Sequence, residues 1–211
     1  EGSAIAGLWF LEALNIPAAV ADVMSAHLGN GVHLYEHGVI SFCNQLAKDC
    51  GVRTGMTVKE AANLLLTVDS DVRAPSETTN RTIMHTSEDG RHIIATDSIA
   101  FGTDADTGKN VLVTAGHTGR SAVPYLLKCS PWGFICSDGG KGMDNSGIIG
   151  LSIVEKSGLA GATVDAKLAR MGSGLSHYYD GVISAVNLHA KSRGVEIGMS
   201  ASEASLLLLE K

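Results

Sequence analysis

The chain lacks the features that mark nucleic-acid-binding and membrane-spanning proteins. Its net charge is −6 and its pI is about 5.7, so it has no excess of basic residues with which to follow a phosphate backbone. Its apolar runs, such as Leu206–Leu209, are too short to span a bilayer, and no basic segment followed by an apolar one stands near Glu1. These absences predict a soluble protein with neither a nucleic-acid nor a membrane partner.

Cysteine is scarce, and its spacing does not fit the common cysteine motifs. Six residues separate Cys43 from Cys50, and six separate Cys129 from Cys136. Zinc knuckles and CxxC redox pairs use about two to four residues instead. We interpret all four as free thiols in a reducing compartment, which predicts a cytoplasmic location.

The chain contains one segment twice. Residues 1–66 and 144–209 align without a gap at an offset of 143 positions, and 27 of the 66 aligned residues are identical. Such self-similarity decides the architecture, and here it indicates an internal duplication. We expect residues 1–66 to be a partial first repeat unit and residues 67–211 to be the complete second unit.

The two copies differ in what precedes them. Residues 67–143 stand before the second copy only, so either the first unit lacks a front half or the second unit alone carries an insertion. The first explanation is favoured because Glu1 opens inside a helical pattern with no capping residue. We therefore expect the chain to form a homo-oligomer or to associate with a missing N-terminal segment.

Apolar spacing, capping residues and turn residues predict the same elements in both copies. Each copy should contain a helix, a short buried strand, a glycine loop and two further helices, the last opened by a capping box. In the first copy these are Ala4–Leu14, Ala18–Met24, His27–Gly31, Gly38–Asp49 and the helix after Thr57. In the second copy they are Gly147–Ser157, Gly161–Ala166, Arg170–Gly174, Gly181–Ser192 and the helix after Ser200.

The segment between the copies adds strands. After a predicted linker at Val68–Glu77 come a hairpin, two strands and one helix. These are the hairpin strands Thr82–Thr86 and His92–Ser98, the strands Asn110–Thr114 and Trp132–Ser137, and the helix Ser121–Lys128. Strands that alternate with helices predict an α/β fold: a mostly parallel sheet with helices on both faces, built from the duplication, plus the β-hairpin.

Ligands of open α/β sheets bind at the carboxyl ends of the strands, where three loops are candidates. The first loop supplies backbone amides and a guanidinium suited to an anion, although a tight turn and a solvated arginine would explain it equally well. Its candidate ligand-binding residues are Gly116, Thr118, Gly119, Arg120 and Ser121, with His117 as a catalytic candidate.

The other two loops carry titratable groups. In the second loop, Asp138 and Lys141 are candidates for a proton-transfer pair, and the alternative is a solvated turn. The third loop supplies Arg170 and Ser173 as ligand-binding candidates and leads to His177 as a catalytic candidate. The positions of Arg170 and His177 are occupied by His27 and Leu34 in the first copy, so the charged and titratable side chains differ between two segments that are expected to share one backbone structure.

Metal and serine-hydrolase chemistry are disfavoured. His27, His33 and His37 lie close together, but they lack the glutamate of an HExxH motif, and the counterparts of the last two are serine and aspartate. No GxSxG elbow is present. We predict no metal and no cofactor.

These residues predict an enzyme that acts on a small anionic metabolite, a carboxylate or a phosphate, by acid/base chemistry, as a lyase or a hydrolase. A non-catalytic small-ligand-binding or regulatory module with a pseudo-symmetric interface is the alternative. Convergence of Asp138, Lys141 and Arg170 in one cleft would favour the enzyme, and side chains that point apart into solvent would count against it.

Overall fold

The computed structural model describes residues 5–68 and 80–210. These residues divide into two compact units. Unit 1 comprises residues 5–68 with 142–144, and unit 2 comprises residues 80–141 with 145–210. Apart from Val68, the predicted linker Val68–Glu77 lies outside the described residues.

The elements of unit 1 are short, and those of unit 2 alternate strands with helices. In chain order unit 1 contains α1 (Gly7–Ala13), β1 (Ala19–Ala21), α2 (Gly31–His37), β2 (Ile40–Cys43), α3 (Gln45–Asp49) and α4 (Val58–Leu65). Unit 2 contains β3 (Arg81–Thr86), β4 (His92–Thr96), β5 (Val111–His117), α5 (Val123–Cys129), β6 (Gly133–Ser137), α6 (Ile149–Glu155), β7 (Ala160–Val164), α7 (Gly174–Tyr179), β8 (Ile183–Val186), α8 (Leu188–Ser192) and α9 (Ala201–Glu210). Within the described residues, no helix is both long and apolar enough to cross a membrane.

Unit 2 is built on one six-stranded mixed sheet in the order β3-β4-β5-β6-β7-β8. The four central strands run parallel, while β3 and β8 pair antiparallel at the two edges. The strands β3 and β4 form a hairpin whose turn is closed by the Ser87 N–H, which donates to the Arg91 carbonyl at 2.9 Å. This topology confirms the predicted α/β class with a mostly parallel sheet.

Successive residues of the buried strands face opposite sides of this sheet, as the two-residue period of a strand requires. On one side, residues such as Ile135 share a core with Leu208 of α9 and Ala190 of α8. On the other side, residues such as Phe134 share a core with Leu126 of α5 and Leu151 of α6. Helices therefore cover both faces, and the nearly continuous apolar strands reflect burial on both sides.

Unit 1 has a smaller core around a two-stranded sheet. The strand β1 pairs antiparallel with β2, and the core is formed by Ile40, Ala47, Val52 and Ala61. Thr57 opens α4 with the capping box that the sequence predicts: its side chain accepts the Glu60 N–H, and the Glu60 carboxylate accepts the Thr57 N–H.

The same hydrogen bonds recur in the two units at an offset of 143 positions. In unit 1 the Asn44 side chain accepts the N–H groups of Ala18 and Ala47 at 3.0 Å each. In unit 2 the Asn187 side chain accepts those of Gly161 and Ala190, again at 3.0 Å each.

Carboxylate and glycine positions recur at the same offset. The Glu12 carboxylate accepts the Gln45 N–H at 2.6 Å, and the Glu155 carboxylate accepts the Leu188 N–H at 2.7 Å. After α3 and after α8 the chain turns through a left-handed glycine, Gly51 with φ +94° and its counterpart 143 positions later with φ +91°.

The sequence prediction of single helices at Gly38–Asp49 and Gly181–Ser192 is wrong. Each range contains a strand, β2 or β8, followed by a short helix, and the helix that precedes each strand begins at the last residue of the predicted loop and runs through residues for which the sequence predicts no element. The physical reason is capping: the Asn44 and Asn187 side chains accept backbone N–H groups of the following turn, so a new helix begins there.

Candidate functional site

The parallel strands of unit 2 end at one edge of the sheet, which we name the carboxyl edge. It is formed by the ends of β4, β5, β6 and β7, at Thr96, His117, Ser137 and Val164. The three candidate loops follow β5, β6 and β7, so the fold brings all of them to this edge.

The loop after β5 presents one titratable ring. The Gly119 N–H donates to His117 Nδ1 at 2.9 Å, so the proton of the neutral ring is on Nε2, which becomes a hydrogen-bond donor. Burial lowers the pKa of His117, which favours this neutral form at pH 7.

The other candidates of this loop divide into buried and exposed groups. Thr118 is buried, and both its N–H and its hydroxyl donate to the Ser137 carbonyl, at 3.1 and 3.2 Å. Gly119 is also buried and Gly116 is half-buried, whereas Arg120 and Ser121 are exposed. Thr118 therefore fastens the loop to β6, and Arg120 is open to solvent.

Asp138 joins two of the loops. It is 2% exposed, and one carboxylate oxygen accepts the N–H groups of Gly140 at 2.8 Å and Ala166 at 3.0 Å. The Asp138 N–H donates to the Val164 carbonyl at 2.8 Å, which extends the pairing of β6 with β7. This carboxylate holds the loops after β6 and β7 together.

The two predicted cations lie apart from that carboxylate. Lys141 and Arg170 are exposed, and within residues 80–210 neither side chain makes an ion pair or a hydrogen bond. Lys141 has φ +65° and its N–H donates to the Asp138 carbonyl at 2.9 Å. The structure therefore brings the Lys141 backbone to Asp138, but no hydrogen-bonded cluster of Asp138, Lys141 and Arg170 forms.

His177 is fully buried in α7, on the face of the sheet that α9 also covers. Its Nδ1 lies 3.0 Å from the Ser173 carbonyl, to which it donates, so the neutral ring carries its lone pair on Nε2. Nε2 makes no hydrogen bond to any described residue. Burial lowers the pKa of His177, and the carbonyls of Ser173 and Arg170 and the charge of Asp138 oppose that shift in part.

A cavity of about 410 Å³ lies beside the start of α7. It is lined by residues in or directly next to β3 and β4, by the loop before α7 and by α7 itself: Asn80, Arg81, Thr82, Ala95, Asp97, Gly172, Ser173 and Leu175. The Asp97 carboxylate accepts the Gly174 N–H at 2.9 Å and the Asn80 side-chain amide at 2.6 Å. Of these residues, sequence reasoning named only Ser173, yet Asp97 directly follows a buried parallel strand and could have been found by that position.

The start of α7 is packed against the end of β4. A Cβ atom at Gly174 would lie 2.4 Å from the Thr96 carbonyl oxygen, so only glycine permits this approach. The Thr96 hydroxyl is buried without a hydrogen-bond partner among the described residues. This close contact fixes the position of His177, one turn further along the helix.

The rings of the three histidines of unit 1 lie next to one another, with His27 stacked on His33 and His37 tilted by 48° from His33. The ring centroids of His27 and His33 lie 4.1 Å apart, and those of His33 and His37 lie 4.5 Å apart. In the part of the chain that the structure describes, no group of three or more His, Cys, Asp or Glu side chains is arranged to hold a metal ion.

Comparison with protein-family models, with curated proteins and with solved structures found no match to this chain.

Proposed function

We propose that unit 2 is an enzyme that acts on a small anionic metabolite, a carboxylate or a phosphate, by acid/base chemistry at its carboxyl edge. The observation that carries the proposal is the unpartnered Nε2 of His177. A buried polar atom without a partner costs about 1–3 kcal/mol, and a position needed only for packing would hold an apolar side chain. The counterpart of His177 in unit 1 is the apolar Leu34.

The state of the ring suits a general base. Because Nδ1 donates to the Ser173 carbonyl and burial lowers the pKa, Nε2 is a free lone pair at pH 7. When the ring takes a proton, the charge of Asp138 stabilises the imidazolium, since its effect on the pKa of His177 is upward. Because the His177 ring is fully buried, its surroundings must open before Nε2 can abstract a proton from carbon or from water, the step that corresponds to lyase or hydrolase chemistry.

The other groups take supporting roles in this proposal. His117 is the candidate hydrogen-bond donor to negative charge that develops on the substrate, because its Nδ1 accepts the Gly119 N–H and its neutral ring keeps the proton on Nε2. The exposed side chains of Arg120, Lys141 and Arg170 attract the anionic substrate. Asp138 positions the loops through its two backbone hydrogen bonds.

A non-catalytic ligand-binding module is the second candidate, and the 410 Å³ cavity favours it. Its carboxylate, Asp97, is already held by Asn80 and by the Gly174 N–H, which suits recognition more than proton transfer. In that case ligand binding depends on Ser173 and Asp97 and is indifferent to His177.

We also propose that the two units are copies of one frame, with residues 1–66 as a partial first repeat and 67–211 as the complete second. The support is the recurrence of the hydrogen bonds of Asn44 and Glu12 at Asn187 and Glu155. Among the described residues, the strands β4, β5 and β6 have no counterparts in unit 1, whereas β7 is matched by β1.

The test is a thermal-shift screen of small carboxylates and phosphates against wild type and two variants, His177→Leu and Lys141→Ala. A ligand that binds only the folded state raises the free energy of unfolding by RT ln(1 + [L]/Kd), which is about 2.7 kcal/mol at a ligand concentration of a hundred times Kd. The midpoint temperature rises with that free energy. We expect at least one ligand to raise the midpoint of wild type and to raise that of Lys141→Ala less. Conversion of that ligand to product is then measured, and we expect it with wild type but not with His177→Leu. If no ligand raises the wild-type midpoint, the anionic site does not exist. If His177→Leu turns the ligand over normally, the assigned base is wrong.

A further inference from the structure

Unit 1 exposes an apolar region that the matching residues of unit 2 bury. Leu66 is 82% exposed, whereas its counterpart Leu209 is 1% exposed and lies in the core with Ile135. Phe10 is 62% exposed, whereas its counterpart Ile153 packs against the core that contains Phe134. We name the strand β1 with Phe10, Leu34, Phe42 and Leu66 the open edge of unit 1.

The backbone of β1 is also paired on one side only. Among the described residues β1 and β2 form a two-stranded sheet, whereas the matching strand β7 lies between β6 and β8. The Asn44 N–H donates to the Ala18 carbonyl, so Ala18 directs its backbone groups toward β2. The next residue, Ala19, directs its N–H and carbonyl to the opposite side, because these groups alternate along a strand.

Unit 2 shows what covers such an edge on this frame. There β7 pairs in parallel with β6, and the Val164 carbonyl, the counterpart of that of Ala21, accepts the Asp138 N–H at 2.8 Å. The strand β6 is buried on both faces, with Phe134 packed toward α5 and α6 and Ile135 packed toward α9. A parallel strand with apolar residues on both faces thus fits between the helices of the frame.

We infer that the open edge of unit 1 binds a parallel β-strand with apolar residues on both faces, presented by an α/β segment of the kind formed by β3 to β6. The inference rests on the equivalence of the two frames proposed above and is independent of the chemistry at the carboxyl edge. A second copy of β1 is a poorer occupant, because its three residues are Ala, Val and Ala and a two-fold axis would pair them antiparallel.

The experiment supplies that segment to the full chain. Residue 143 directly precedes 144, the counterpart of Glu1, so a duplicate of residues 80–143 is fused directly before Glu1 of the complete protein. Hydrogen exchange of the Ala19 and Ala21 amides is then compared in the parent and the fusion, together with binding of the dye ANS. We expect exchange at these two amides to slow by at least about tenfold in the fusion, and ANS fluorescence to fall.

Two variants of the fusion distinguish strand pairing from general compaction. Ala19→Pro removes the N–H that faces the added strand and should return exchange at Ala21 to the parent rate, while Ala19→Ser keeps the N–H and should behave as the unmodified fusion. Unchanged exchange and ANS binding in the fusion would overturn the inference. Slow exchange at Ala21 that persists in the Ala19→Pro fusion would also overturn it. A parent chain that is dimeric by light scattering and already exchanges slowly at Ala19 would do the same.

Discussion

Replacing His177 with leucine should stabilise the fold while removing the general base that we propose. In the wild type the buried Nε2 has no hydrogen-bond partner among the described residues, which costs about 1–3 kcal/mol. The substitution gives up the Nδ1 hydrogen bond to the Ser173 carbonyl, worth about 0.5–1.5 kcal/mol. That carbonyl still accepts the backbone N–H of residue 177 at 3.1 Å, so it is not left without a donor. The balance is a gain of about 1 kcal/mol, or roughly 2–4 °C in Tm for a chain of this size.

The pH dependence of His177→Leu follows from the same burial. Burial lowers the pKa of His177 in the folded state below the ordinary value of 6.5. At a pH between the folded-state pKa and 6.5, the unfolded chain therefore binds more protons at this residue than the folded chain does. Wild-type stability is therefore lost as the pH falls below 6.5, by up to about 1.4 kcal/mol for each pH unit from this one ring. The leucine variant does not have this loss, so its advantage over wild type should grow between pH 7.5 and pH 5.5.

Urea unfolding at pH 7.5 and at pH 5.5 measures both effects, provided that the slope of free energy against urea is unchanged. The control is His85→Leu, which replaces an exposed histidine of β3 and should alter stability by no more than about 0.5 kcal/mol. A His177→Leu variant that is less stable than wild type at pH 7.5 would refute the idea of an unsatisfied nitrogen. An advantage that stays constant between the two pH values would refute the assigned burial of the ring.

Two further substitutions test the packing that positions the site. Asp138→Ala should lower the free energy of unfolding by about 2–3 kcal/mol, because the N–H groups of Gly140 and Ala166 lose their acceptor. Asp138→Asn should lower it less, since asparagine keeps one side-chain oxygen, and equal losses in urea unfolding would contradict this role. Gly161→Ala should cost about 1–3 kcal/mol, because the added Cβ would lie 2.2 Å from the Phe134 ring; an unchanged Tm would show that the ring moves aside freely.

Local patterns in the sequence predicted much of the fold. Apolar runs at Asn110–Thr114 and Trp132–Ser137 indicate buried strands, and the structure places β5 and β6 there. The same reasoning failed at Gly38–Asp49, where apolar residues fit a helix and a strand equally well over so short a run. The informative residue was Asn44, whose type favours a helix start that divides the range.

The candidate site was harder to predict because burial depends on distant packing. The sequence shows His177 two residues after Leu175, but only the approach of α7 to β4 and β5 makes the histidine fully buried and Leu175 exposed. Asp138 and Lys141 are three residues apart, yet the first is buried and the second is in solvent, since the left-handed turn of the loop separates them. The spacing of these residues in the sequence predicts neither the burial of His177 nor the separation of Asp138 from Lys141.

Under the proposed function, the difference between Leu34 and His177 is explained by where the other groups of the proposed site come from. His117 and Asp138 both belong to residues 80–141, outside the segments that recur at the 143-residue offset. A histidine at position 34 would therefore have no counterpart of His117 or Asp138 within residues 1–66. It would carry the free-energy cost of a buried, unpaired ring nitrogen without the proposed catalytic role. Leucine is the residue that such a position favours on packing alone, so the proposed base role ties the histidine to β5 and β6, which have no counterparts among the described residues of unit 1.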